Sequence, residues 1–135
     1  MKTCGIDLKG NEAIVVCVDG NADQYRQIAI ETKRIALADS TNQAQVKNFL
    51  QEITDFLHLH QIEKVGIKER ATKGKFAGGS VSFKMEGLIQ CSSPDVCIIH
   101  PASVKAKLKN QPAATNISVN QYQKDALSIA RYLLD

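Results

Sequence analysis

Proline is scarce, at three in 135 residues, and neither a low-complexity tract nor an internal repeat breaks the chain. With 44% hydrophobic residues, that composition excludes a disordered polypeptide and fits a globular domain. No stretch approaches the roughly 18 apolar residues needed to cross a membrane. The opening MKTCGID leads directly into a strand-like segment, with no apolar core or small-residue cleavage site of a signal peptide. A soluble, cytoplasmic location without membrane contact is therefore expected. There is no C-x-x-C pair among Cys4, Cys17, Cys91 and Cys97, and no histidine lies near them at a zinc-ligand spacing. Cys4, Cys17 and Cys97 sit in apolar runs and read as small core residues in a reducing compartment. His58 and His60 lack an acidic or cysteine partner nearby in sequence and read as solvated or internally satisfied. The glycine-rich segment Lys73 to Ser80 lacks the G-K-[ST] ending of a phosphate-binding P-loop.

What is present is a patterned α/β chain. At this length a single domain spanning residues 1–135 can bury roughly 65–70% of the surface its unfolded form exposes. Thr3 to Asp7, Glu12 to Val18 and Tyr25 to Ile30 read as three strands, the third continuing toward Leu37. Lys9-Gly10-Asn11 and Asp19-Gly20-Asn21 provide the turns between them. Val46, Phe49, Leu50, Ile53, Phe56 and Leu57 recur at helical spacing, with Asp39, Ser40 or Thr41 as candidate cap. A buried strand at Lys64–Lys68 follows. Then come a helix capped by Ser80 or Ser82, a strand from Asp95 to Ile99, a short helix from Ala102 to Leu108 and a last helix near Asn120–Leu134. Right-handed crossovers make strands one, four and five parallel.

Three carboxylates stand out. Asp7 ends the first strand, Glu69 ends the fourth, and Asp125 lies early in the last helix at the margin of its apolar face. Strand ends at the carboxyl edge of an open α/β sheet are where such folds bind ligands. Each acid also has an ordinary reading. Asp7 can cap a turn, Glu69 can pair with Lys68 or Arg70, and Asp125 can be an N-terminal acid favoured by the helix dipole. Glu12 and Glu86 read as spare acids, Glu86 on a solvated helix face. The net charge is only +3, yet Lys64, Lys68, Arg70, Lys73, Lys75 and Lys84 cluster, as do Lys105, Lys107 and Lys109. Such clusters suit a polyanion such as nucleic acid. Lys9, Lys68, Arg70, Lys73 and Lys75 are the candidate phosphate contacts. Phe76 is a candidate for stacking on a base.

Cys4-Gly5-Ile6-Asp7, followed by Lys9-Gly10 and a β-run, resembles the opening of the RuvC and YqgF branch of ribonuclease H-like proteins. Val65-Gly66-Ile67-Lys68-Glu69 is similar to that branch's second-acid strand, and Asp125-Ala126-Leu127-Ser128-Ile129-Ala130 resembles its final helix. The resemblance runs along the whole chain, in short motifs, and is similar to what a small bacterial family of this fold would show. It implies a ribonuclease H-like α/β fold with a mixed five-stranded sheet, order 3-2-1-4-5, flanked by helices. It further implies Asp7, Glu69 and Asp125 as metal ligands and catalytic residues, Mg²⁺ or Mn²⁺ as cofactor, nucleic acid as partner and a homodimer as one assembly. Two such ions would activate water and stabilise the leaving oxygen in phosphodiester hydrolysis. The chain departs from the RuvC pattern at Tyr122, where that pattern has a further acid one helical turn before the last. It also looks too short for the elements with which RuvC grips a junction. Two functions follow: a metal-dependent nuclease, or a ribonuclease H-like module that has lost catalysis and binds a partner. Sugar kinases and actin-like ATPases share the first-strand motif but need two such domains, which 135 residues cannot supply.

Overall fold

The longest run of alternating apolar residues lies at the start of the chain, and it forms the centre of the sheet. In the computed structural model, which describes residues 1–74, 78–93, 95–111 and 117–135, β1 (Lys2–Lys9) pairs antiparallel with β2 (Glu12–Gly20) along its full length. The two-residue turn between them needs a left-handed residue, and Gly10 supplies it at φ 58°. Parallel to β1 on its other side runs β5 (Lys64–Lys68), and parallel to β5 runs β6 (Val96–Ile99).

The expected third strand is two strands. β3 (Tyr25–Gln27) pairs with Val18–Gly20, and β4 (Arg34–Ala36) pairs with Glu12–Ile14. Between them the chain leaves the ladder after Ile28, whose N–H still donates to the Cys17 carbonyl, and Ile28 and Ile30 pack against the core. The sheet therefore has six strands rather than five, in the order β3-β2-β1-β5-β6 with β4 on β2. That is the expected 3-2-1-4-5 arrangement with its third member split.

Strand alternation divides the core into two faces. On one, Cys4, Ile6, Leu8, Val15, Cys17, Val65 and Ile67 meet α1 (Gln43–Leu59) and α2 (Ser80–Gln90) through Phe49, Ile53, Met85 and Ile89. On the other, Ile14, Val16 and Val18 meet Ala126, Ala130 and Leu134 of α4 (Lys124–Tyr132) and its end. Ile99 and Val104, the latter on α3 (Pro101–Leu108), pack with Ile129 and Leu133. A single 3₁₀ turn, Gln121–Gln123, leads into α4 in place of a continuous helix from Asn120.

The helix caps differ from those expected. Asn42 caps α1, accepting the Gln45 N–H at 3.1 Å, while Asp39 closes the preceding turn by accepting from the backbone and hydroxyl of Thr41. These bonds to Thr41 hold the Asp39 carboxyl below its usual range. Gly79 precedes α2 without a side-chain cap, and the buried Ser82 hydroxyl donates to the Gly79 carbonyl instead. His60 stacks on Phe56, ring centroids 4.8 Å apart.

Cys4 and Cys17 face each other across β1 and β2, both fully buried and reduced. The hydrogen bond to Cys17, and then burial, push the Cys4 thiol well above its ordinary value. Cys91 is exposed and Cys97 half-buried. Thiol titration of the native protein is expected to label Cys91 first and Cys97 more slowly, and to reach Cys4 and Cys17 only on unfolding. Equal rates for all four would contradict this packing.

Candidate functional site at the carboxyl edge

The site is set by how closely α4 approaches β1. A Cβ built on Gly5 would lie 1.9 Å from the Ala126 carbonyl oxygen and 2.6 Å from the Ala130 nitrogen. Thr3, the next residue on that face, donates its hydroxyl to the Ala130 carbonyl at 2.7 Å. Thr3 and Gly5 opposite Ala126 and Ala130 therefore let the helix lie directly on the strand. The first turn of α4 then stands over the end of β1 and β5, with Asp125 in it.

Asp7 belongs to this same face. It does not end its strand: β1 continues to Lys9, and Asp7 is paired with Ile14 of β2. Only 2% of the residue is exposed. Lys9 Nζ approaches its Oδ2 to 3.5 Å, yet that buried oxygen has no hydrogen-bond partner. A carboxylate this deep is costly without a counter-charge, so the position asks for a cation.

Lys9 of its own strand is the cation in reach, and the neighbouring strand brings a second to the same edge. In register, Gly5 lies beside Gly66 and Ile6 beside Ile67, so the next residue along, Lys68, falls beside Asp7. Val65 and Ile67 point into the core with α1 and α2. Alternation therefore puts Lys68 on the α4 face, where its Nζ meets Asp125 Oδ2 at 2.7 Å. The Asp125 side chain is 52% exposed and that of Lys68 29%.

Glu69 lies one residue beyond the strand, exposed, with its N–H donated to the Ile99 carbonyl at 2.9 Å. It lines a cleft with Arg70, Thr72, His100 and Pro101. Among the described residues, no group of three or more His, Cys, Asp or Glu side chains is placed to hold a metal ion. Asp7 and Asp125 thus share an edge with Lys68 rather than with Glu69.

Tyr122, where a further acid was sought, is partly buried against Ile14, Val16 and Ala126. The Arg34 guanidinium lies 4.0 Å above its ring, and Arg34 also reaches Glu12 at 3.7 Å. Arg70 is turned inward. It donates to the Lys68 and Ser82 carbonyls and the Ser82 hydroxyl, and pairs with Glu86 at 3.2 Å. The Arg70 and Glu86 side chains are 9% and 16% exposed, so Glu86 is not on a solvated face. Lys73 is exposed, and Lys75 and Phe76 lie outside the described residues.

A groove of about 410 Å³ opens between α3 and α4 beside this edge. Val104, Leu108 and Ile129 form its apolar floor, while Lys68, Lys105 and Lys109 line it with Asp125. Sequence reading had set Lys105 and Lys109 apart only as a charge cluster. The missing signal was the helix pairing that turns them toward the sheet edge. No helix among the described residues is long and apolar enough to cross a membrane.

No curated protein matches this chain. Among solved structures, it is similar to Thermus thermophilus RuvC at 17% identity and a TM-score of 0.74, over 98% of this chain and 92% of that one. It is likewise similar to T. thermophilus RuvC in complex with Holliday junction substrate, at 18% identity and a TM-score of 0.68, over 98% and 91%. The chain therefore spans nearly the full length of those RuvC chains. The likeness shows the ribonuclease H-like fold. A family model described as protein of unknown function (DUF3010) matches residues 1–133, so the chain belongs to DUF3010.

Proposed function

We propose that this chain binds nucleic acid at the carboxyl edge of its sheet, as a ribonuclease H-like module whose grip comes from lysines rather than from bound metal. The observation that carries this reading is the groove between α3 and α4. Its apolar floor suits a base or sugar, and Lys68, Lys105 and Lys109 suit the phosphates. Lys9 and the exposed Lys73 extend the basic surface. Arg70 serves this surface indirectly, by holding the base of the loop to α2.

The Mg²⁺ or Mn²⁺ pair that the fold family implies does not fit the residues present. Two hard cations call for several oxygen ligands. This face offers Asp7 and Asp125, each already beside a lysine, and by strand alternation Glu12, which Arg34 meets. One observation favours the second reading, metal-dependent phosphodiester hydrolysis: the buried Asp7 oxygen without a hydrogen-bond partner.

Fluorescence anisotropy with labelled four-way junction, single-stranded DNA and RNA separates these readings. RuvC's complex with a Holliday junction makes the branched substrate the first choice. Binding is expected at low salt and is expected to weaken steeply as salt rises. Lys105→Glu and Lys109→Glu should each flatten the salt slope by about one unit or more. Absence of binding to every probe at low ionic strength would sink the proposal. Mn²⁺-dependent cleavage by the purified protein that vanishes in Asp7→Asn would make the nuclease the better reading. The assembly, homodimer or monomer, is read from sedimentation of the same sample.

A further inference from the structure

We propose that Lys68 is the resident cation of this edge: its ammonium occupies the place a divalent ion would take beside Asp7 and Asp125, and excludes that ion. The inference concerns the same edge as the proposed function but does not depend on nucleic-acid binding.

Three observations converge on it. The first is parity. The residues β5 presents to the α4 face are Lys64, Gly66 and Lys68, because Val65 and Ile67 belong to the opposite core, and Lys64 lies at the far end of the strand beside Tyr132 and Leu133. Gly66 brings no side chain and lies under Ile129 and Leu133. Lys68 is thus β5's one contribution at the carboxyl end of that face, and it is positive. The second is contact. Lys68 Nζ lies 2.7 Å from Asp125 Oδ2, a charge-assisted hydrogen bond with little room for an intervening ion. The third is balance. Asp7 has Lys9, Asp125 has Lys68, Glu12 has Arg34 and Glu86 has Arg70. Each of these four carboxylates is already met by a side-chain cation. The same Arg34 that meets Glu12 also lies over the Tyr122 ring.

A divalent ion entering this edge would meet two carboxylates and two ammonium groups. Repulsion from the ammoniums offsets the attraction of the acids, because like charges a few ångströms apart interact strongly near a protein surface. The buried Asp7 carboxylate takes its compensation from Lys9 on its own strand, while Lys68 on the adjacent strand is held by Asp125. The edge is a metal-free arrangement built on the framework of a metal-dependent fold.

Calorimetric titration of Mn²⁺ alone into the full chain tests this, without nucleic acid, so its outcome is independent of the binding assay. Wild type is expected to bind Mn²⁺ weakly or not at all. Lys68→Glu places a third carboxylate beside Asp7 and Asp125, and should tighten Mn²⁺ binding at least about a hundredfold. The gain should be lost in Lys68→Glu combined with Asp7→Asn, and Mn²⁺ should raise the melting temperature of Lys68→Glu alone. Should Lys68→Glu not fold, Lys68→Gln carries the test, since removing the ammonium should tighten binding at least about tenfold. Equal affinities, or equal absence of binding, in wild type and the folded Lys68 variant overturn the proposal. So does tight Mn²⁺ binding by wild type that Asp7→Asn abolishes.

Discussion

Gly5→Ala is expected to destabilise the chain by about 3 kcal/mol or more, as overpacking against rigid backbone does. The new methyl would meet the Ala126 carbonyl and the Ala130 amide, which are main-chain atoms of α4 and cannot turn aside as side-chain ends can. The helix must lift from β1, breaking the Thr3 bond to Ala130 and displacing Asp125 from Lys68. Two other glycines give the scale. At Gly66 a methyl meets the ends of Ile129 and Ile99, which can shift, so Gly66→Ala should lose about 1–2 kcal/mol. At Gly87, inside α2, it meets nothing, so Gly87→Ala should gain about 0.5–1 kcal/mol from helix propensity. Urea unfolding of the three variants checks the order. A Gly5→Ala protein as stable as Gly66→Ala would mean that α4 stands farther from the strand.

Arg70→Ala is the second large effect. Removing the guanidinium strips Glu86 of its ion-pair partner in a mostly buried position and frees the Ser82 and Lys68 carbonyls it satisfies. Breaking such a pair from one side costs about 3 kcal/mol, most of it the price of the stranded charge. Glu86→Gln paired with Arg70→Met should recover much of that loss, because both charges then leave together. The exposed pair Arg34–Glu12 should matter far less, within about 1 kcal/mol. If Arg70→Ala fell in that lesser range as well, the inward reading of Arg70 would fail. Because Arg70 stands at the foot of the 71–74 loop, Arg70→Ala should also weaken nucleic-acid binding without touching a phosphate.

Strands and helices were readable because their periods are long and clean. The α1 stripe from Val46 to Leu57 could only be one face of a helix, and the twin runs of β1 and β2 with a glycine turn could only be a hairpin. The third strand reads as one because β-formers recur from Tyr25 to Leu37, and only packing decides that the chain leaves the ladder between Ile28 and Lys33. The cap of α1 was misplaced by three residues at most, since Asp39, Thr41 and Asn42 are all competent and the turn uses Asp39 first.

The site was harder for a reason of parity. Glu69 and Lys68 are adjacent, and a one-residue step in a strand exchanges the two faces. The sequence does hold the clue: Gly5 and Gly66 are the residues where α4 presses on the sheet, and counting by two from them reaches Asp7 and Lys68. Arg70 and Glu86 could not be paired by sequence, because sixteen residues and a loop separate them.

The covering of the α4 face has a consequence for how the chain is made. Ile14, Val16 and Val18 are synthesised more than a hundred residues before their cover, Ala126 to Leu134. During vectorial synthesis the hairpin exposes a β-branched apolar stripe for more than a hundred residues of elongation, the interval in which nascent chains attract chaperones or one another. α1 and α2 can dress only the other side. A ribosome-stalled chain ending before Lys124 should therefore bind a hydrophobic dye, while one extended past α4 closes the molecule in one cooperative step.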